Sequence, residues 1–378
     1  LVVYGGREYL ARTFSADGYQ GYMGPPGWQG QVMIPVELGF TGLATEALKS
    51  LDVDVADGLL SHAQSFCPPL FEIMSAAETI RRVVWNGQVM TAGQNGELLK
   101  LKTILEQISE TGARSNELFS QSIRDLYETV LSSSLSDSEF VSHLMVDLLD
   151  RNLYERSDDC RWWALTPELQ VALAEPHKSA ESAARLTEIL DYINSLYTVY
   201  TRIFVYDSDG VIIASTDFKA DGLEVVGTSI DAATLEHVTM LRNDQQYYVT
   251  PFEQSALYGE RPTYVYHAAI RHPEHSAQMV GGIGIVFDSE PEFAAMLQGA
   301  LGDKEDVSAL FINRSGRIIS STDPTRPVGD VLDIAPELLT MENGSSTSRI
   351  VVHDGHYAIL GCTCLLYTSP SPRDQRGS

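Results

Sequence analysis

The sequence predicts an α+β fold in which a long helix leads into modules of antiparallel sheet. Three observations support this prediction. Stretches between residues 102 and 200 carry apolar residues at steps of three and four, which is typical of amphipathic helices. After them, short apolar and β-branched runs alternate with turn residues, which is typical of antiparallel strands. One strand pair occurs twice, at residues 200–217 and 310–323, and such a repeat indicates two copies of one module.

The repeated strand pair has the features of a β-hairpin. Its first copy, Tyr200–Asp217, reads YTRIFVYDSDGVIIASTD. Two apolar runs flank an Asp/Gly turn, in which Gly210 can take the positive φ angle that a tight turn needs. The second copy, LFINRSGRIISSTD, places Gly316 at the position of Gly210, and both copies end in Ser-Thr-Asp and continue to a Val-Gly pair. We interpret the two stretches as the same hairpin in tandem modules.

Length and composition limit the class of protein. The chain has 378 residues, too many for one ordinary domain, and 44% are hydrophobic, enough for packed cores. Its formal net charge of −25 argues against nucleic acid or an anionic membrane surface as the partner. The four cysteines form neither a disulfide framework nor a zinc-binding pattern. We find no signal peptide and no membrane-spanning apolar run, and the chain opens like the middle of a domain, so we expect a fragment.

Five segments are predicted along the chain, and three of them are sheet modules that are present in whole or in part. They are the end of a preceding sheet module (1–40), a helical signalling or linker segment (41–137), the first full module with its entry helix (138–301), a second, truncated module (302–364) and a non-native polar tail (365–378). The first segment is expected to contain a hairpin at Gly5-Gly6.

The elements of the first full module follow from local patterns. The entry helix is predicted at Glu139–Leu165, after a polar break at Ser132–Ser138 that can cap it, and a second helix at Ser179–Tyr200. Strands are then predicted at Ile203–Ser215 (the hairpin), Gln246–Phe252, Thr263–Arg271 and Met279–Phe287, and a helix at Glu290–Leu301. The glycine-rich run Gly281–Gly284 is interpreted as a strand packed closely against a helix.

Taken together, these motifs resemble the Cache family of sensor domains, which are relatives of PAS domains. The resemblance rests on the long entry helix, the stretch NLYERSDDCRWWAL at Asn152–Leu165, the hairpin and the strand GGIGIVFD at Gly281–Asp288. It implies PAS-like antiparallel modules in the tandem, double-Cache arrangement, which sense a small molecule and pass a shift through helices to an output partner. Asn152–Arg156 is similar to the entry helix of chemotaxis-associated Cache proteins, which implies a chemotaxis kinase or coupling protein as that partner.

Candidate ligand-binding residues lie in the later strands of the first full module. A sheet that binds a polar metabolite needs an apolar floor with a few placed polar groups. Alternation along the strand puts Tyr264 and Tyr266 on one face and His267 on the other, and Tyr248 of a neighbouring strand can join the two tyrosines. Arg271 can bind a carboxylate through two parallel N–H bonds. The alternative is that the tyrosines are ordinary half-buried sheet residues.

Other candidates have structural interpretations that we favour. Arg161-Trp162-Trp163 can form a cation–aromatic wall, but adjacent tryptophans at a helix end are more often packing anchors. Asp207 and Asp209 are better explained as turn residues than as ligands of a cation. The histidines between positions 267 and 275 have no evident carboxylate partner, which argues against a metal site. The box of Tyr, Arg, Trp and Asp found in amino-acid-binding Cache domains is not matched in its expected context. The ligand class, whether amino acid, carboxylate or amine, therefore stays open.

The predicted function is small-molecule sensing. The sequence contains neither G-x-S-x-G nor H-E-x-x-H nor a phosphate-binding loop, so we predict no enzyme activity, no cofactor and no bound metal. A homodimer is expected through the apolar stripe of Lys102–Leu131. Two alternatives remain: the sensory part of a histidine kinase or cyclic-dinucleotide enzyme whose catalytic domain is missing here, or a structural module without a ligand. Both sheet units must lie on one side of a membrane. Because the helical segment between them looks like a signalling bundle, we expect the cytoplasm, with a periplasmic location as the alternative.

Overall fold

The structure, a computed structural model, describes most of the chain. It describes residues 1–16, 18, 23–36, 72, 75–76, 79, 82–83, 97–175, 179–216, 222–302, 304, 307–353 and 355–365. Most of the predicted helical stretch before residue 97 and the tail after residue 365 lie outside the described residues. The chain divides into two units, one of residues 1–138 and 348–360 and one of residues 139–347 and 361–378. Across the described ranges, no helix combines the length and apolar character needed to cross a membrane.

The first unit opens with a three-stranded antiparallel sheet. Strands β1 (Val2–Tyr4), β2 (Arg7–Ser15) and β3 (Gln29–Pro35) lie side by side in that order. Gly5 and Gly6 connect β1 to β2 with φ angles of 57° and 79°, and two consecutive positive values are what a type I′ hairpin requires. The hairpin predicted at these glycines is confirmed.

The entry helix is longer than predicted. Helix α1 runs without interruption over Glu97–Ala164, so the break expected at Ser132–Ser138 is wrong. Leu131 and Leu135, one turn apart in this stretch, are only 8% and 7% exposed. Burial of these two leucines outweighs the moderate helix propensity of the serines around them.

After α1 the chain alternates short helices and strands. In order these are helices α2 (Pro167–Ala174) and α3 (Ala180–Ser195), strands β4 (Tyr200–Asp207) and β5 (Ile212–Ser215), helix α4 (Ala232–Thr239), strands β6 (Tyr248–Val249) and β7 (Glu253–Ser255), a 3-10 turn (Ala256–Tyr258), strands β8 (Arg261–Thr263), β9 (Val265–Arg271) and β10 (Met279–Phe287), helix α5 (Ser289–Leu301), strands β11 (Leu310–Ile312) and β12 (Ile318–Ser321), helix α6 (Pro336–Leu339), and strands β13 (Ser346–His353) and β14 (His356–Thr363). The strand expected at Gln246–Phe252 is reduced to β6, and the helix expected to reach Tyr200 ends at Ser195.

The second unit is built on a five-stranded antiparallel sheet. Its strand order is β5-β4-β10-β9-β6, so the last strand in sequence, β10, lies in the centre. This arrangement confirms the predicted α+β fold class with a PAS-like sheet. The bounds of β10 are those predicted from the sequence.

The two faces of this sheet are covered differently. On one face, here called the helix face, side chains of β4, β9 and β10 share a core with helices α1, α2 and α3. On the other, here called the loop face, Phe204 and Tyr206 of β4 pack with Val225, Leu235 and Tyr258 from α4, the 3-10 turn and a connecting loop. Three helices, of which α1 and α3 are long, therefore cover one side, and one short helix, a 3-10 turn and a loop cover the other.

The hairpin repeat is confirmed at the level of single hydrogen bonds. In the first copy, the backbone N–H of Ile203 donates to Thr216 Oγ1 at 2.9 Å. In the second, the N–H of Ala309 donates to Thr322 Oγ1 at 2.9 Å. The threonine of each Ser-Thr-Asp exit thus ties the end of its hairpin back to the beginning, which explains why this sequence occurs in both copies.

Glycines in β10 allow aromatic rings of β4 to lie across the centre of the sheet. A Cβ atom at Gly284 would lie 2.1 Å from Phe204 Cζ, and one at Gly282 would lie 2.3 Å from Tyr206 Oη. The expected close approach to a helix is found only at Gly281, whose Cβ would lie 3.2 Å from Leu173 of α2. For Gly282 and Gly284 that interpretation is wrong, because they face the rings on the loop face.

The substitution Gly284→Ala is expected to lower the free energy of unfolding by about 1–3 kcal/mol, because the added Cβ overpacks the buried Phe204 ring. Urea denaturation measures this change. The matched control is Gly299→Ala in α5, where a Cβ would meet nothing within 4 Å; it should raise stability by up to about 1 kcal/mol. A neutral Gly284→Ala would contradict the account of the central strand.

Candidate functional site

A buried polar pair lies in the middle of the loop face. His267 on β9 is 2% exposed, and Tyr206 on β4 is fully buried. Although β10 separates their strands, Tyr206 Oη lies 3.3 Å from His267 Nδ1. The two side chains can meet because Gly282 and Gly284 place no side chain between them. A hydrogen bond across the central strand is the result.

Burial fixes the protonation state of His267. Desolvation lowers the pKa of its imidazole from the ordinary 6.5 to about 3. A neutral imidazole offers one donor and one acceptor nitrogen. A polar group of a ligand can therefore replace or extend the bond to Tyr206 without a change in charge.

Tyr248 and α4 complete the surroundings of this pair. Tyr248 on the edge strand β6 is directly opposite His267 in register, and their ring centroids are 6.3 Å apart. Its ring stacks on His237 of α4 at 4.5 Å, and its hydroxyl hydrogen-bonds to Thr234 of the same helix. We call Phe204, Tyr206, Tyr248 and His267 the His267 cluster. Aromatic walls around a few polar groups are typical of small-molecule sites.

The five predicted site residues fall in three places. Tyr248 and His267 are brought together in the His267 cluster. Tyr266 is 1% exposed in the core of the helix face, with the half-buried Tyr264 packed against that core. The expectation that Tyr248 joins these two tyrosines is wrong, because Tyr248 pairs with His267 and directly opposed residues share a face. Tyr266 packs in this core, and a role in ligand binding stays a prediction for it.

Arg271 lies apart, in an open cleft at the sheet edge. The cleft encloses about 270 Å³, open solvent included, and Arg161 and Arg271 both line it. Arg271 donates to the backbone carbonyl of Leu241 and, at 3.0 Å, to that of Ser276. Its Nε atom is buried and has no hydrogen-bond partner among the described residues. In this arrangement Arg271 holds two loops in place.

The segment Arg161-Trp162-Trp163 is divided between core and surface. Trp163 is 9% exposed and makes edge-to-face contacts with Tyr197 and Tyr200 at 5.1 and 5.4 Å, so the packing interpretation is confirmed for this residue. Trp162 is 72% exposed. The two tryptophans therefore form no common wall.

Asp207 has the predicted role in its turn. Its Oδ1 atom accepts the backbone N–H groups of Asp209 and Val211, each at 3.0 Å. In the second copy Asn313 makes the equivalent two bonds, also at 3.0 Å. Since an amide oxygen serves as well as a carboxylate, the position requires an acceptor and not a charge. Within the described ranges, no three His, Cys, Asp or Glu side chains converge as a metal site would need.

The sequence analysis missed a buried charged network on the helix face. Arg156 of α1 is 4% exposed, its Nε lies 3.7 Å from an oxygen of Asp159, and the Tyr200 hydroxyl donates to Asp159. Burial raises the pKa of Asp159, although the bond from Tyr200 and the charge of Arg156 oppose that rise. The network joins α1 to the first strand of the sheet. The spacing of Arg156 and Asp159, one turn apart in an amphipathic helix, was the available signal.

The buried neutral state of His267 predicts a pH-dependent stability. Between pH about 6.5 and 3 the unfolded chain binds a proton at His267 that the folded chain excludes, so the free energy of unfolding decreases as the pH falls. In this range His267 lowers the free energy of unfolding of the wild type by about 1.4 kcal/mol per pH unit. Between pH 6.5 and 5 the free energy of unfolding of His267→Gln should therefore fall by about 2 kcal/mol less than that of the wild type. Urea titrations at each pH measure this difference. The exposed His275→Gln is the control and should follow the wild type; parallel curves for all three proteins would refute the assignment.

Comparison with known proteins returns sensory proteins. No family model and no curated protein matches the sequence. The sensor domain of the V. cholerae histidine kinase DctB is 18% identical, with 56% of this chain and 75% of that chain covered and a TM-score of 0.42. A domain of a putative sensory box/GGDEF family protein from Vibrio parahaemolyticus is 16% identical, with 61% and 95% covered and a TM-score of 0.41.

A third similar structure comes from a chemoreceptor. The sensory domain of Campylobacter jejuni Tlp3 is 13% identical, with 63% of this chain and 91% of that chain covered and a TM-score of 0.47. All three belong to the class of protein that the resemblance in the sequence implies. Because the TM-scores are below 0.5 and the identities below 20%, function has to be inferred from the residues of the chain itself.

Proposed function

We propose that this chain is the sensing part of a signal-transduction protein and that a small molecule binds at the His267 cluster. The observation that carries the proposal is the neutral, buried pair of His267 and Tyr206 within an aromatic surface. Among the described residues His267 belongs to no group of side chains that could hold a metal, and burial of its imidazole costs free energy. Recognition of a ligand gives it a use.

The cover of the loop face supports binding on that side. Helix α4 has only eight residues, and short elements with few buried contacts open at low free-energy cost. A ligand that inserts beneath α4 would favour a conformation in which α4 is displaced, and binding energy would shift the population toward it. A coupling of about 1–3 kcal/mol between the ligand and the helices is ordinary for such systems.

The chemistry of the cluster restricts the ligand. Phe204 and Tyr206 offer ring faces, and His267 offers one hydrogen-bonding partner, so we expect a small molecule with an apolar or aromatic part next to a polar group. Structures of the Tlp3 sensory domain contain isoleucine or L-valine. Amino acids, carboxylates and amines therefore belong in the first test.

A thermal-shift screen of the full chain against amino acids, carboxylates, amines and purines tests the proposal. A ligand at one hundred times its dissociation constant should stabilise the chain by about 2.7 kcal/mol. His267→Gln should weaken binding about tenfold, through loss of about 1–1.5 kcal/mol of hydrogen bonding. Tyr264→Phe, on the helix face, is the matched control and should bind normally. A folded chain that responds to no compound would favour the structural alternative.

The output partner and the cellular location remain predictions. We propose a chemotaxis kinase or coupling protein as the partner, and no enzyme activity for this chain. The alternative is the sensory part of a histidine kinase or cyclic-dinucleotide enzyme with its catalytic domain elsewhere. The cytoplasmic location expected from the sequence gains no support, since one similar structure is described as the extracellular domain of a putative histidine kinase. A periplasmic location therefore stands beside it.

An exposed apolar stripe on α1 supports the expected homodimer. Its members are Ile104, Ile108, Leu118 and Val130, which are 53%, 44%, 69% and 39% exposed. At 100° per residue they fall within about a third of the helix circumference. Two copies that pair along this stripe would bury it, as in a short coiled coil.

If α1 forms the dimer, Leu118→Glu should raise the dimer dissociation constant at least about tenfold, because each copy places a charge in the apolar contact. Analytical ultracentrifugation of the full chain measures the effect. Glu117→Gln, at the neighbouring exposed position, is the control and should leave the dimer intact. A dimer insensitive to Leu118→Glu, or a wild type that is monomeric, would rule out this interface.

A further inference from the structure

Two neighbouring tyrosines, Tyr247 directly before the edge strand β6 and Tyr248 at its start, contact opposite sides of the sheet. Tyr248 belongs to the His267 cluster on the loop face. Tyr247, the residue before it, is 8% exposed and part of the core of the helix face. Successive side chains of a strand point to opposite faces while their Cα atoms stay 3.8 Å apart. A displacement of one tyrosine is therefore transmitted to the other through a single peptide unit.

On the helix face, Tyr247 and its loop are held by the last turns of α1. The Tyr247 hydroxyl hydrogen-bonds to Ser157, and the Arg161 guanidinium lies 5.7 Å from the centre of its ring. Arg161 Nη1 also donates to the backbone carbonyl of Gln245 at 3.1 Å and to its side-chain oxygen at 3.2 Å. Ser157 and Arg161 are one turn apart, so one side of α1 carries all of these contacts.

On the loop face, Tyr248 is held by α4. It stacks on His237 at 4.5 Å with 15° between the ring planes and bonds to Thr234. The loop between α4 and β6 is also fixed at its start, where Arg271 donates to the carbonyl of Leu241. A movement of α4 therefore pulls on Tyr248 directly and on the loop behind it.

Connections between the two faces through the interior of the sheet are harder to move. The central strands β4, β10 and β9 are paired on both sides, so a shift there would break many backbone hydrogen bonds. Strand β6 has two residues and pairs with β9 alone. It can move at much lower cost. The edge of the sheet is thus the easiest route from the loop face to α1.

We propose that Tyr247 and Tyr248 are positioning residues that link the His267 cluster to the end of α1 through Ser157 and Arg161. The proposal deepens the proposed sensing function, since it names the path by which a ligand beneath α4 would act on the helix. The link itself can be measured without any ligand, by disturbing the cluster through substitution.

Hydrogen exchange of the full chain, followed by mass spectrometry of peptides that cover Tyr154–Leu165, tests the link. Tyr248→Ala should speed exchange in this part of α1 by about threefold or more, although the substituted side chain faces away from the helix. In an Arg161→Gln background the same substitution should add little, because the connection is already broken. The matched background is Arg151→Gln, an exposed arginine of α1 paired with Glu155, in which the full effect of Tyr248→Ala should persist.

A second variant covers the case in which Tyr248→Ala fails to fold. His237→Ala removes the exposed stacking partner of Tyr248 and should give the same change in α1. Unchanged exchange in α1 with either folded variant, or an effect that survives Arg161→Gln, would overturn the proposed link. If the exchange results agree with the link but no compound binds in the screen, the link is supported and the sensing function is not. If a compound binds but the exchange results contradict the link, the sensing function is supported and the link is not.

Discussion

The glycines on one side of the central strand β10 determine how the two faces of the sheet are packed. Strand β10 alternates glycine with isoleucine, so that Gly282 and Gly284 face the loops while Ile283 and Ile285 face the helices. The isoleucines pack the sheet onto its helices. The glycines leave a groove that the rings of Phe204 and Tyr206 fill from the neighbouring strand. With alanine at both glycines, the hydroxyl of Tyr206 and the ring of His267 could not meet in this way.

If a ligand binds at the His267 cluster as proposed, this alternation separates recognition from transmission. The polar pair is confined to the loop face, whereas α1, which would carry a signal, lies on the helix face. The sheet between them is stiff because its central strands are fully paired. Movement is expected at the least free-energy cost at the edge, where β6 is two residues long, and at α4, which has eight residues. A sensor needs such a division, since the ligand must move something without unfolding the core.

Features set by local chemistry could be predicted from the sequence, and features set by distant partners could not. The hairpins at Gly5-Gly6 and Gly210 and the bounds of β10 follow from turn residues and apolar runs a few positions apart. The continuity of α1 depends on tertiary burial of Leu131 and Leu135, which outweighs a serine-rich stretch.

The candidate site was predicted only in part for the same reason. Tyr248 and His267 were both selected, but the face they share depends on the register of β6 against β9. Tyr206 was not selected, because its contact with His267 crosses a whole strand and has no signature in either segment. Arg156 and Asp159 were close in sequence but looked like ordinary helix-surface charges, and only the packed helix shows that they are buried.

The repeat within the chain separates the scaffold from the site. The residues that shape the hairpin have counterparts 106 positions later, as Thr216 has in Thr322. At the same offset Tyr206 corresponds to Ile312, which has no hydroxyl group. The second copy therefore keeps the fold of the hairpin without the hydrogen-bonding group that reaches His267. The turn and exit of the hairpin therefore form without a tyrosine at this position, which agrees with the proposed binding role of Tyr206 in the first copy.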